Sequence, residues 1–222
     1  AIRDVYKRQL VATACRASSI DHAVIRLYDT KDWLEVKPPL KAHSLTVTAL
    51  QFSPDDKYLL SVGRDRQWVI WEKNTEPELY ALKYSNPKGH SRMILGAAWT
   101  PLQIPTFMTA GRDKSVKIWQ ITDAQVELKG TVAANAAVTA VACNSVVASD
   151  KITFAFGTEN GEIGIATAAA DALDKVDVAM LAPELAPAKT VNQIVWRPGR
   201  EGGAKQQIAV ASDDTSLRIF NV

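Results

Sequence analysis

The sequence predicts an all-β chain, a β-propeller assembled from repeated four-stranded blades. Two segments of the 222 residues repeat the same polar residues at matching intervals. In both, an aspartate precedes a tryptophan by six residues, a serine or threonine precedes that aspartate by four, and a histidine precedes it by 22 or 23. The two sets are His43, Ser61, Asp65 and Trp71, and His90, Thr109, Asp113 and Trp119. A repeat of this length and content is typical of propeller blades.

Short apolar runs separated by turn residues recur with the same period. Aligned on Trp71, the intervals between successive repeats are 43, 48, 47 and 54 residues. The aligned positions are Tyr28, Trp71, Trp119, Ala166 and Phe220. Runs rich in valine, isoleucine, leucine and aromatic residues within each repeat indicate strands. The pattern is that of the WD-repeat type, and it predicts blades that end near residues 40, 88, 130, 185 and 222.

The repeats occupy residues 10–222 and amount to about four and a half blades, which we expect to form an incomplete ring. The first blade is predicted to lack its innermost strand, so that Leu10–Cys15, Ala23–Tyr28 and Trp33–Lys37 supply its second, third and outer strands. The last blade is predicted to lack its outer strand. Residues 1–9 resemble a translated sequencing adaptor, and we expect them to be non-native.

The fourth blade is the least regular part of the pattern. Its outer strand is predicted near Val176–Leu181, and Ala168–Asp174 is compatible with a helical turn. Asn160-Gly161 predicts a hairpin turn in this blade, where the earlier repeats have Asp-Arg and Asp-Lys.

The composition excludes several classes of protein. Lys plus Arg number 26 and Asp plus Glu number 24, so the net charge of +2 gives no global attraction to nucleic acid or anionic membrane. No apolar run is long enough to span a bilayer. Cys15 and Cys143 are far apart in apolar runs, which predicts buried free thiols in a reducing compartment. We therefore expect a cytoplasmic or nuclear protein.

The repeated polar residues are predicted to be structural. In each set the indole can donate to the hydroxyl, the hydroxyl to the histidine and the histidine to the aspartate, which would satisfy four buried polar groups. A hydrolytic triad of histidine, aspartate and serine is the alternative. Because the set occurs twice at blade spacing, it favours a structural element over a unique active site. We expect no catalytic residue, no metal site and no cofactor, since metal-ligand spacings and phosphate-binding loops are missing from the sequence.

The residue before the turn aspartate is the candidate for partner binding. In successive blades this position, on one rim of the propeller, is Arg64, Arg112, Glu159 and Asp213. Two basic positions followed by two acidic ones predict a polarised face. Solvated turn charge is one interpretation, and a docking site is the other, since arginine is favoured in interface hot spots.

Several stretches resemble the C-terminal propeller of the Elongator second-subunit family. They include Ser44-Leu45-Thr46-Val47-Thr48, the Gly63-Arg64-Asp65-Arg66 turn, Ser91-Arg92-Met93-Ile94 and Ala12–Ser18. The resemblance is strong over residues 10–121 and faint over 122–222. It implies a non-catalytic scaffold that assembles with the largest and the catalytic Elongator subunits and supports modification of tRNA wobble uridines. Contact with tRNA would be weak or indirect, and no membrane or small-molecule substrate is implied.

Two other functions remain open on the sequence. A different WD-repeat adaptor, such as a ubiquitin-ligase substrate receptor or a coat component, would carry the same repeat. A propeller enzyme would need titratable residues that converge in a central channel, and the sequence offers no obvious set.

Overall fold

The computed structural model describes residues 10–17, 19–74, 79–146, 150–198 and 206–222, so the predicted adaptor at residues 1–9 lies outside the described residues. Within these ranges the chain is made of antiparallel strands, with one short 3-10 turn at Ile20–His22. The predicted all-β class of antiparallel, four-stranded blades is confirmed. The chain divides into two compact units, residues 1–94 and 95–222.

The first unit contains two sheets, each ordered as its strands follow in the chain. The strands of the first sheet are β1 (Leu10–Ala14), β2 (Val24–Asp29) and β3 (Glu35–Lys41). The strands of the second sheet are β4 (Val47–Phe52), β5 (Tyr58–Gly63), β6 (Trp68–Lys73) and β7 (Tyr80–Asn86). The two sheets pack face to face through a core that includes Ile25, Leu27, Leu59 and Val69.

The second unit contains three sheets. The third sheet comprises β8 (Ile94–Trp99), β9 (Thr106–Gly111), β10 (Ser115–Ile121) and β11 (Val126–Ala133). The fourth comprises β12 (Val138–Cys143), β13 (Lys151–Thr158), β14 (Ile163–Ala169) and β15 (Ala172–Met180), and the fifth comprises β16 (Val191–Trp196), β17 (Gln207–Ser212) and β18 (Leu217–Asn221). Met108, Ile118 and Phe154 belong to the core between the third and fourth sheets, and Ala155 and Ile194 to the core between the fourth and fifth.

Four local predictions are wrong. The outer strand of the fourth sheet begins at Ala172 and not near Val176, and residues 168–174 form no helical turn, because β14 and β15 pair across a tight hairpin in which Ala169 is opposite Ala172. The outer strand of the first sheet begins at Glu35 and not at Trp33, because residues 30–34 form the turn that precedes it. Cys15 is exposed and not buried, because β1 ends at Ala14.

A bulge shapes the first strand of three sheets. The register shifts between Val47 and Ala49 in β4, and at the equivalent positions of β12 and β16. The bulged residue is a threonine in two of them: Thr48 Oγ1 donates to the carbonyl of Val62, and Thr139 Oγ1 donates to the carbonyl of Gly157, each at 3.1 Å. A bulge re-aims a side chain out of the regular alternation, and here it turns the hydroxyl onto the backbone of the neighbouring strand.

Candidate functional site

The candidate rim residues lie on a recurrent turn between the second and third strands of each sheet. In the second sheet the amide of Gly63 donates to the carbonyl of Gln67, and the amide of Arg66 donates to the carbonyl of Gly63, both at 3.2 Å. Arg66 has a left-handed backbone, with φ of 69°. A three-residue connection that ends in a left-handed residue is a common hairpin geometry. The amide of Arg64 donates to the carbonyl of Thr46 at 2.9 Å, which fixes the turn to the start of β4.

The second unit repeats this turn in its three sheets. The left-handed residues are Lys114, Gly161 and Thr215, with φ of 63°, 90° and 68°. The amide of Glu159 donates to the carbonyl of Ala137, and the amide of Asp213 to the carbonyl of Thr190, at 2.9 Å each. These bonds match the one made by Arg64. Equivalent backbone bonds therefore hold Arg64, Glu159 and Asp213 on their respective turns.

The side chains at the candidate positions are solvent-accessible. Exposed residues occupy all four sites, namely Arg64, Arg112, Glu159 and Asp213. The carboxylate of Asp213 also accepts a hydrogen bond from the Asn192 side-chain amide at 2.5 Å. The turns thus present charged groups to solvent from a hydrogen-bonded backbone.

The first set of repeated polar residues forms a continuous hydrogen-bond network. His43 Nδ1 lies 3.0 Å from Asp65 Oδ2, and His43 Nε2 lies 2.9 Å from Ser61 Oγ. Trp71 Nε1 donates to the same Ser61 Oγ at 2.9 Å. Because Ser61 Oγ accepts the indole proton, its own proton is directed to His43. His43 therefore accepts this hydrogen bond at Nε2 and donates one from Nδ1 to the Asp65 carboxylate. Every polar group in this network has a partner.

The Asp65 carboxylate also organises the backbone of the turn. It accepts from the amide of Ser44 at 2.9 Å and from the amide of Gln67 at 3.2 Å. Burial alone would raise the pKa of Asp65, but the hydrogen bond from His43, together with these amides, holds that pKa below its ordinary value. The folded state therefore favours the ionised carboxylate.

The second set repeats the hydrogen bond between the indole and the hydroxyl. Trp119 Nε1 donates to Thr109 Oγ1 at 2.9 Å, in the same way that Trp71 donates to Ser61. His90 and Thr109 are buried. Asp113 accepts a hydrogen bond from Ser115 Oγ at 2.8 Å, within its own turn.

The geometry of the first set argues against hydrolysis. A serine nucleophile must present its oxygen to a substrate carbonyl. Ser61 is fully buried, the His43 side chain has no exposed surface, and the Ser61 oxygen is enclosed by Trp71 and His43. Among the described residues, no group of histidine, cysteine or acidic side chains could hold a metal ion. A helix long and apolar enough to cross a membrane is likewise missing from the described ranges.

The fifth sheet retains the turn aspartate but gives it different partners. Asp214 accepts a hydrogen bond from the amide of Ser216 and forms an ion pair with Arg218 at 2.9 Å. A second hydrogen bond, from the Ser216 hydroxyl, is the main cause that lowers the pKa of Asp214 to about 2, against a smaller opposing effect of burial. Arg218 Nη1 also donates to the carbonyl of Leu185 at 2.9 Å. This aspartate therefore helps to fasten the loop that precedes β16.

Sequence reasoning missed one exposed aromatic residue. Trp33 was predicted to begin an outer strand, but it lies in the turn between β2 and β3 and its exposed fraction is 64%. Asp29 and Asp32 stabilise that turn by accepting the amides of Lys31 and Leu34. Two aspartates three residues apart after a strand are a turn signal, and they could have placed Trp33 outside the strand.

Comparison with known proteins identifies the repeat and its relatives. The family described as WD domain, G-beta repeat matches residues 35–72. The chain is 38% identical to Elongator complex protein 2 of Saccharomyces cerevisiae, over 97% of this chain and 27% of that protein. It is 40% identical to Elongator complex protein 2 of Schizosaccharomyces pombe, over 96% of this chain and 28% of that protein. The human protein of the same name is 37% identical over 72% of this chain and 21% of its own length.

These matches confirm the predicted resemblance and extend it. The sequence indicated a strong resemblance over residues 10–121 and a faint one beyond, whereas the yeast alignments cover nearly the whole chain. The chain spans about a quarter of the length of these curated relatives.

Proposed function

Because this chain is a WD-repeat protein that resembles Elongator complex protein 2, we propose that it acts as a non-catalytic scaffold within the Elongator complex. The observation that carries the proposal is the 38–40% identity to two proteins of that name over nearly the full chain. The fold is compatible with it, since propellers present rigid rims to other proteins. The buried state of the His43 and Ser61 side chains supports the non-catalytic part.

The finer role follows the resemblance. We propose that the partners are the largest and the catalytic Elongator subunits, and that the chain supports tRNA wobble-uridine modification without performing it. A location in the cytoplasm or nucleus belongs to the same proposal. The net charge of +2 favours protein partners over direct tRNA binding.

Arg64 and Arg112 are the proposed contact residues. Both are exposed on turns of the same type, so their backbones are held before binding and less entropy is lost on association. Each arginine suits a carboxylate on an acidic segment of a partner. Glu159 and Asp213, exposed on the corresponding turns of later sheets, would favour a basic segment of the same partner.

The test is co-purification of the full-length protein after Arg64→Glu and Arg112→Glu together. We expect weaker recovery of the other Elongator subunits, with an unchanged melting temperature. The matched control is Lys151→Glu with Lys175→Glu, which makes the same change of charge at two other exposed positions. If the wild-type protein recovers ubiquitin-ligase or coat subunits instead, the Elongator assignment is wrong. If the double arginine variant assembles normally, the contact surface lies elsewhere.

A further inference from the structure

The turn between β2 and β3 carries a large aromatic side chain, Trp33. Its position is neither buried nor favoured for a bulky residue by the backbone conformation. The exposed fractions of Trp33 and Leu34 are 64% and 66%. The other five tryptophans are all buried, none with more than 8% exposed: Trp68, Trp71, Trp99, Trp119 and Trp196. Burial in the core therefore does not explain the tryptophan at position 33.

The backbone of Trp33 makes the choice of residue more unusual. Its φ is 59°, in the left-handed region that bulky side chains disfavour. Among the described non-glycine residues with positive φ, Trp33 is the single apolar one; the others are Asp56, Arg66, Lys114, Asp150 and Thr215. Glycine or asparagine would fit the same turn with less strain. A strained residue that the fold does not need is a reason to look for function.

Four hydrogen bonds hold the strained turn in one shape. The amide of Trp33 donates to the carbonyl of Asp29 at 2.8 Å, and the amide of Asp29 donates to the carbonyl of Leu34 at 3.0 Å. The amide of Lys31 donates to the Asp29 carboxylate at 2.8 Å, and the amide of Leu34 to the Asp32 carboxylate at 2.9 Å. The two apolar side chains are thus presented on a preorganised tip, which reduces the entropy lost on binding.

The charges around the tip indicate the kind of surface it fits. Glu35 is paired with Arg26 at 3.2 Å, so these two charges balance. Within residues 26–35, Asp29 and Asp32 outnumber Lys31 and give the tip segment an acidic balance. An acidic tip is repelled by an anionic membrane surface. It complements an apolar pocket that is bordered by lysine or arginine.

We infer that Trp33 and Leu34 form an interface anchor that inserts into an apolar pocket with a basic border on another protein. Tryptophan is enriched among the residues that dominate binding energy. Within the first unit this turn, which joins β2 and β3, is a different connection from the turn that carries Arg64, which joins β5 and β6. The inference rests on the proposed function, since the pocket is assigned to another subunit of the same complex.

The first experiment separates binding from folding. Trp33→Gly in the full-length protein should leave the melting temperature unchanged or raise it, because it relieves the left-handed strain. It should weaken association with the remaining subunits at least about tenfold, as expected for an anchor. Trp33→Phe should restore part of the affinity. Ile104→Gly, which removes another exposed apolar side chain, is the matched control and should bind as wild type.

The second experiment identifies the pocket. A photoreactive benzoylphenylalanine at position 33 of the full-length protein, irradiated in the purified complex, should crosslink to a segment of another subunit that contains apolar residues beside lysine or arginine. Crosslinks to lipid, to a second copy of this chain or to no protein would overturn the inference. So would a fall in melting temperature with Trp33→Gly, or an affinity equal to wild type. If the wild-type protein recovers no Elongator subunits, it is the proposed function that fails.

Discussion

The second and fourth sheets have the same type of turn between their second and third strands. The core next to that turn is polar in the second sheet and apolar in the fourth. In β4–β7, Ser61 is opposite Val69 and the indole of Trp71 is hydrogen-bonded to the serine. In β12–β15, Phe156 stands at the serine position and is opposite Gly164. A Cβ atom built on Gly164 would lie 2.3 Å from Phe156 Cζ, so the ring occupies the space that a side chain would need.

Both arrangements contain one large ring, although they differ in polarity. The large ring sits on the third strand of the second sheet, at Trp71, and on the second strand of the fourth sheet, at Phe156. Ala166 takes the position of Trp71 and removes the bulk there. The turn has the same backbone hydrogen bond in both sheets, because the amide of Glu159 is bonded in the same way as that of Arg64. A blade can therefore form without the histidine, serine and aspartate.

The largest expected effect is in the apolar sheet. Phe156 is 1% exposed, and Phe156→Ala would leave a cavity beside Gly164 that the strands cannot close. We expect a loss of about 3–5 kcal/mol in the free energy of unfolding. Amide hydrogen exchange of β13 and β14 in the full-length protein would measure it. An effect below about 1 kcal/mol would show that the fourth sheet does not depend on this ring.

A smaller effect is expected in the polar sheet. His43→Ala removes the partner of both Ser61 and Asp65 and should cost about 1–3 kcal/mol, measured by hydrogen exchange in β5 and β6. His22→Ala, at an exposed position, is the control and should change the free energy by less than about 0.5 kcal/mol. A hydrolase activity that disappears with His43 would contradict the structural interpretation.

The polar network should also give the second sheet a dependence on pH. The pKa of Asp65 is lowered in the folded state, so its stabilising effect is complete above the unfolded value of about 3.9 and is lost as the pH falls through the lower folded value. The stability difference between wild type and Asp65→Asn should shrink as the pH falls below about 4. Hydrogen exchange at several pH values would reveal a pH-independent difference if the ionised carboxylate were unimportant.

The smallest effect is expected at the left-handed position of the turn. Arg66 has φ of 69°, where the fourth sheet uses Gly161. Arg66→Gly should change the free energy of unfolding by less than about 1 kcal/mol, because relief of strain is offset by the greater freedom of glycine in the unfolded chain. A destabilisation above about 2 kcal/mol would mean that the Arg66 side chain has a structural role beyond the turn.

The sequence predicted the features that depend on periodicity. The repeat spacing was enough for the all-β class, and the alternation of apolar runs with turn residues placed strands such as β5 within the observed bounds. The strand bound near Trp33 was wrong although Asp29 and Asp32 signal a turn there. The bound near Ala168 was wrong because a tight hairpin between two apolar strands leaves little trace in local composition.

The network residues could be named from the sequence, whereas their surroundings could not. Spacing alone brought His43, Ser61 and Asp65 together as candidates. The complete burial of Ser61, which separates a structural network from a hydrolytic site, depends on how the first two sheets pack. The Phe156 ring fills the space beside Gly164 on the neighbouring strand. A contact of this kind between strands cannot be predicted from the sequence pattern of either strand alone.

The most direct measurement of the structural role is a double-mutant cycle between His43 and Asp65. The variants are His43→Ala, Asp65→Ala and the double variant in the full-length protein, with free energies taken from hydrogen exchange in β5 and β6. At pH 7 we predict a coupling energy of about 1–2 kcal/mol, because the side chains meet at 3.0 Å with no exposed histidine surface. The coupling should decrease towards zero as Asp65 becomes protonated in acid. A coupling near zero at pH 7 would contradict the conclusion that this network stabilises the blade.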